Sequence, residues 1–192
     1  MNYLGHALYS PDDALIRVAN IISDEFKIHK FIPDNEKILQ GQTRHRFIDG
    51  FCDRDSGYKV VRQICRKEFG KFAPVVVDVF YDHFLARHFD QLTGRSLKSF
   101  TAVIYQDIYT AASNFPTEII SPFVAMAEAH WLDGYILEEN VYRSIRHIER
   151  KINQRFGRRV SFGAALGIYY RNENQITDAF RQTHNSIIKI FK

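Results

Sequence analysis

The segment Asp78-Val-Phe-Tyr-Asp82-His83-Phe-Leu-Ala-Arg87-His88 sets two carboxylates, two imidazoles and a guanidinium among bulky apolar residues. On a helix, residues four apart lie one above the other, so Asp78 and Asp82 share a face and His83 and Arg87 form a second stripe about 100° around. Burying ionisable groups costs several kcal/mol each unless they are paired or bound to a cation. The segment therefore needs a metal, a phosphate or an ion pair with an arginine elsewhere, and taken alone it does not choose among them.

Three further polar groups interrupt apolar surroundings in the N-terminal half: His6, Asp24 in Asn20-Ile-Ile-Ser-Asp24, and His45 with Asp49 one helical turn apart, Asp53 following one turn later. Each has an ordinary structural explanation, a satisfied core histidine for His6 and a helical ion pair for His45 with Asp49. Together with Asp82-His83 they form a larger set. Imidazole nitrogen and carboxylate oxygen are the ligands of Mn²⁺, Fe²⁺ or Zn²⁺ hydrolytic centres. The two cysteines, Cys52 and Cys65, are not in a Cys-x-x-Cys pair and read as core thiols. A phosphate loop, a Gly-x-Ser-x-Gly elbow and a His-Glu-x-x-His helix are all missing from the sequence, so a serine or cysteine nucleophile would carry no signature.

The elements that must position these residues read as helices. Ser10-Pro11-Asp12-Asp13 has the form of an N-cap, a first-turn proline and first-turn acids before Leu15, Val18, Ile22 and Phe26. Pro33-Asp34 opens a second helix, and Ser56 caps a third that Gly70 closes. Pro74 starts the segment of Asp78 to His88 and Gly94 ends it. Its valine run has strand propensity but continues without a breaker to Leu92, about twice the usual strand length, which favours helix. Ser96 caps the next, Pro122 begins another, and apolar stripes from Ile136 to Phe156 and from Ile176 to Phe191 supply two more. Phe115-Pro116-Thr117 and Arg158 to Tyr170 read as connections. The expectation is an all-α bundle of about seven to nine helices without a hairpin, one domain over residues 1–192.

An apolar content of 45% and a charged content of 25% exclude disorder. No apolar run approaches a membrane span, and the N-terminus lacks the layout of a secretory signal, so the expected location is cytoplasmic and no membrane partner is expected. The net charge of +4 gathers in Arg62, Arg66, Lys67 and Lys71 and again in Arg143, Arg146, Arg150, Lys151, Arg155, Arg158 and Arg159. Such runs attract an acidic protein or nucleic acid, or are solvated helix faces.

Five ordered motifs carry a resemblance: Met-Asn-Tyr-Leu-Gly-His6, Asn20-Ile-Ile-Ser-Asp24, Gly41-Gln-Thr-Arg-His45-Arg46-Phe-Ile-Asp49, Ala73-Pro74 with Asp78-x-x-x-Asp82-His83-Phe-Leu-x-Arg87-His88, and Trp131-Leu-x-x-Tyr135. In this order they resemble the acyl carrier protein phosphodiesterases, from Met1 to about Arg155; the part from Gly157 onward matches no motif. The resemblance implies an all-helical fold related to the HD-type metal phosphohydrolases with its metal-binding elements rearranged along the chain. It implies a divalent cation, typically Mn²⁺, with Mg²⁺ or Fe²⁺ as alternatives, and hydrolysis of holo-acyl carrier protein to apo-protein and 4′-phosphopantetheine. His6, Asp24, His45, Asp82 and His83 fall on the family's motif positions as candidate ligands or near neighbours, with Asp49 and Asp78 as further candidates. Asp82-His83 reverses the usual His-Asp order, which leaves open which of the two contacts metal. Asp82 and His83 are also candidate catalytic groups, Arg46 or Arg87 a phosphate clamp, and His88 an acid for the leaving seryl oxygen. The acidic carrier protein would explain the basic excess, and no nucleic acid is then expected. Two other readings compete: a metal phosphohydrolase acting on a nucleotide or other small phosphoester, and a non-catalytic helical module binding an acidic protein. Nothing in the sequence bears on oligomeric state.

Overall fold

A computed structural model describes residues 1–157 and 160–191. Among the described residues there is no strand, and the helices are α1 (Tyr3–Leu8), α2 (Ala14–Ile28), α3 (Glu36–Arg54), α4 (Ser56–Phe69), α5 (Ala73–Thr93), α6 (Leu97–Ala111), α7 (Thr117–Glu128), α8 (Trp131–Gly134), α9 (Glu138–Phe156), α10 (Ala165–Arg171) and α11 (Glu173–Phe191). The eight that run twelve residues or longer match the expected number, and the sequence patterns missed only short ones, α1, α8 and α10. Arg158 and Arg159, which open the connection expected up to Tyr170, lie outside the described residues; within that stretch Ala165 begins α10. None of the described helices is long and apolar enough to cross a membrane.

The segment of Asp78 to His88 is the middle of α5, a helix apolar nearly all round and therefore the one at the centre. Val76, Val77, Phe80, Tyr81, Phe84 and Leu85 are buried, and α1, α4, α6, α9 and α11 pack around them. Gly94, at a φ of 68°, ends it in the left-handed conformation that glycine adopts without steric cost.

Four helix starts differ from the expected ones. At α2 the cap is Asp13, whose carboxylate accepts from the Leu15 and Ile16 amides, while the Ser10 hydroxyl turns back to donate to the His6 carbonyl at 2.9 Å. Ser10 thus satisfies a free carbonyl of α1 rather than the donors of α2. Asn35 caps α3 in place of Pro33-Asp34, and Asp55 caps α4 in place of Ser56, a carboxylate being a stronger acceptor than the neighbouring hydroxyl. Pro122 lies inside α7, which starts at Thr117; burial of Ile119, Ile120, Phe123 and Met126 offsets the hydrogen bond a proline removes.

Both cysteines are buried and free, as expected of core thiols. Part of the basic excess is neutralised locally: Arg62 pairs with Asp53 at 2.8 Å, Arg143 with Glu139 at 2.5 Å, and Arg146 with Glu149.

Candidate metal centre

Four elements bring the site together. α1 supplies His6, α2 supplies Asn20 and Asp24, α3 supplies His45 and Asp49, and α5 supplies Asp78. The two imidazole rings stack at 4.1 Å between centroids, and each points its Nε2 at Asp49, His6 at 3.3 Å and His45 at 3.1 Å. Asp24 reaches His45 Nε2 from the other side at 3.3 Å. One ligand atom from each of His6, His45 and Asp49 lies within 4.8 Å of the others, so these three can hold a divalent metal ion. Asp78 borders the group: the Met1 ammonium lies 3.0 Å from Asp78 and 3.3 Å from Asp49, and the Tyr58 hydroxyl donates to Asp78 at 2.7 Å.

One buried residue sets both imidazoles. The Asn20 amide nitrogen donates to the His6 carbonyl at 2.9 Å and to Ser10 Oγ at 2.8 Å, which leaves its Oδ1 as a pure acceptor. That oxygen lies 2.9 Å from His6 Nδ1, and the Asn20 backbone carbonyl lies 2.7 Å from His45 Nδ1. Carbonyl oxygens only accept, so a hydrogen on each Nδ1 satisfies them, and in its neutral form each ring then presents an Nε2 lone pair; the Met1 carbonyl lies 3.1 Å from His6 Nε2. Without a metal ion, His45 Nε2 holds a proton between the Asp49 and Asp24 carboxylates, and a cation bound there would take that proton's place. The donor set fits a divalent cation, and the ammonium between Asp49 and Asp78 shows that this edge holds positive charge.

The protonation states follow from this crowding. Burial, together with the neighbouring His45 and Met1 amine, pushes His6 down to about 4 against the pull of Asp49. Burial also works against charge on His45, but hydrogen bonds to Asp24 and Asp49 hold it up at about 9. Asp49 is buried enough to favour its neutral form, yet the two imidazoles and the ammonium keep it well below the usual carboxylate range.

Of the remaining sequence candidates, Asp82, His83, Arg87 and His88 stand elsewhere. Asp82 is fully buried beneath α1 and accepts from the amides of Leu4 at 2.9 Å and Gly5 at 3.0 Å; burial raises it to about 7 against those two bonds. Both its oxygens are thereby committed to the first turn of the helix that carries His6. His83 Nδ1 donates to the Tyr135 carbonyl at 2.7 Å, and its Nε2 lies 3.3 Å from the Tyr170 hydroxyl. Arg87 pairs with Glu173 at 2.5 Å, and it and His88 line a different cavity, one that none of His6, Asp24, His45, Asp49 or Asp78 lines. Arg46 lines a groove with Asp24, His45 and Asp49. Asn20 enters the sequence pattern only as part of Asn20-Ile-Ile-Ser-Asp24; the signal that could have singled it out is a polar side chain set among Val18, Ala19, Ile21 and Ile22.

The fold and site define a helical protein whose imidazole–carboxylate cluster, bordered by two cavities, could hold a cation. The acyl carrier protein phosphodiesterase family model matches residues 1–187, and the chain belongs to that family. It is 25% identical over 173 residues to the acyl carrier protein phosphodiesterase of Salmonella paratyphi A, covering 88% of this chain and 85% of that one. It is 26% identical over 174 residues to that of Escherichia coli O6:H1, with the same coverage. No solved structure matches.

Proposed function

We propose that this chain hydrolyses the phosphodiester joining 4′-phosphopantetheine to the serine of holo-acyl carrier protein, with a divalent cation, Mn²⁺ foremost, held by His6, His45 and Asp49. The observation that carries the metal assignment is the convergence of His6 Nε2 and His45 Nε2 on the Asp49 carboxylate. Asp24 and Asp78 complete the rim as further ligands or as acceptors for water. When bound, the cation supplies charge neutralisation on the phosphodiester and a water nucleophile acidified towards about 7.

The chain's own residues do the rest. Asn20 keeps both imidazoles in the ligating tautomer. Asp82, beneath α1, is a positioning residue for His6, and His83 pins the Tyr135 segment against α5. Arg46 is the phosphate clamp in this reading, because its planar fork faces the groove that Asp24 and Asp49 open into. Arg87 and His88 line another cavity, so this reading assigns the clamp to Arg46 and gives those two no role at the cluster. Lys27, Lys30 and Arg46 line the same groove beside Ile32, which is 88% exposed; an acidic carrier helix matches that combination of charge and apolar anchor.

Mass spectrometry of holo-acyl carrier protein incubated with the protein and Mn²⁺ tests the reading. The expected result is loss of the phosphopantetheine mass, abolished by a chelator and by His45→Ala. A carrier protein of unchanged mass with Mn²⁺, Mg²⁺ and Fe²⁺ in turn would overturn it.

A further inference from the structure

A cavity of about 320 Å³ lies between the start of α1, α7, α8 and α9 and is used by none of the residues discussed so far as ligands or clamp. Its wall is largely apolar, with Phe123, Met126 and Trp131, and polar groups stand at separate points: Asn2, Ser144, His147 and Lys151. Asn2 is held in place by donating to the Tyr135 hydroxyl at 2.8 Å. The cavity adjoins the cluster. Asn2, Tyr3 and Ile148 line it and also line the smaller cavity, about 210 Å³, that contains His6, Asp24, His45 and Asp78.

The cluster is thus flanked by two spaces of opposite character. On the α2–α3 side lies the cationic groove of Lys27, Lys30 and Arg46, open at the surface. On the α7–α9 side lies this smaller, largely apolar space with a few polar groups on its wall, a form common among small-molecule subsites. A phosphodiester likewise has two unlike substituents. One is a folded acidic protein, too large for a space of about 320 Å³; the other is a slender chain of methyl, methylene and amide groups.

We infer that the cavity between α1, α7, α8 and α9 is the subsite for the pantetheine arm, and that the carrier protein approaches from the opposite, cationic side. This rests on the proposed hydrolysis and adds a direction to it: the arm runs from the phosphate past Asn2, Tyr3 and Ile148 towards Ala125 and Met126.

Ala125 is an exposed residue of α7 that lines the cavity, so Ala125→Trp fills the space without disturbing buried packing. Calorimetry on the Mn²⁺-supplemented full chain would compare 4′-phosphopantetheine with inorganic phosphate, which lacks the arm. The expected result is that the unsubstituted protein prefers phosphopantetheine by about tenfold or more, and that Ala125→Trp removes the preference while phosphate affinity stays within about twofold. Ser121→Trp, exposed on the same helix but outside the cavity, retains the preference. Ala129→Phe fills the same space from the end of α7 and serves if Ala125→Trp does not fold. No preference in the unsubstituted protein, a preference untouched by either filling variant, or an equal loss of both ligands would overturn the inference. Cleavage of holo-carrier protein by the unsubstituted protein is scored separately. If that fails while phosphopantetheine binding remains sensitive to Ala125→Trp, the hydrolysis reading falls and the arm subsite stands.

Discussion

Asn20 controls two ligands with one residue, its side-chain oxygen holding His6 and its backbone oxygen holding His45. Substitution touches only the first of these, because the backbone carbonyl survives any side chain. Asn20→Ala should therefore weaken Mn²⁺ binding by about 10–100-fold, the usual cost of losing a residue that orients a ligand, while leaving His45 in place. Titration calorimetry checks it; unchanged affinity would mean that the His6 tautomer is set by something else. His45 gives the pH dependence. It is held up at about 9 in the metal-free fold, above its ordinary value near 6.5, so its stabilising charge is fully present below pH ~6.5 and is lost as pH rises through about 9. The Met1 amine, which Asp78 and Asp49 hold up at about 11 against burial, acts with the same sign at higher pH. Thermal unfolding of metal-free protein should therefore show Tm falling between pH 7 and 9, and His45→Gln should flatten that part of the curve. Over the same range Mn²⁺ binding should tighten by up to about tenfold per pH unit, because the cation has to displace the His45 proton.

At the scale of the elements, the site depends on how closely α2 and α3 approach. Gly41 lies against α2, and a Cβ placed there would meet the Ala19 Cβ and the Ile16 carbonyl, each at 2.5 Å. Gly41→Ala should push the two helices apart at a cost of about 1–3 kcal/mol, read from urea unfolding. Because His45 lies one turn further along α3, the same variant should also lose about tenfold in Mn²⁺ affinity per folded molecule, by drawing His45 away from Asn20 and Asp24. Loss of stability alone, with full metal affinity, would show that the spacing of α2 and α3 is not what places His45. α5 shows how far spacing can be read from the chain. Asp78 and Asp82 do share a stripe, but one turn carries Asp82 about 6 Å along the axis, and there it meets the first turn of α1 instead of the cluster. The second stripe, His83 and Arg87, faces Tyr170 and Glu173 in the C-terminal helices. The sequence established both stripes, whereas what each faces depends on which helices pack there.

For the whole molecule, net charge is a poorer guide than its distribution. Arg143 and Arg146 of α9 are satisfied by glutamates on their own helix, whereas Lys27 and Lys30 line the groove at the cluster with no ion pair among the described residues. If the carrier protein docks on that groove, kcat/KM should fall steeply with added salt, and Lys27→Glu with Lys30→Glu should lower it by about tenfold at low ionic strength while leaving kcat near its original value. Arg143→Glu should change little. Steady-state kinetics on holo-carrier protein at two salt concentrations distinguishes them, and equal effects from both surfaces would remove the groove as the docking face.

The sequence by itself determined the helical class, the family and the chemical types at the site, because helical periodicity, capping residues and ordered motifs are local properties of the chain. It named seven metal candidates and put Asp49 and Asp78 behind the other five. Only the tertiary structure decided that His6, His45 and Asp49 converge, that Asp82 secures α1, and that Arg87 and His88 open on another cavity. The physical reason is that spacing fixes a residue's face on its own helix, whereas the meeting of residues from α1, α2, α3 and α5 depends on close approaches such as Gly41 against Ala19 and on buried hydrogen bonds such as those of Asn20, which join positions far apart in the chain.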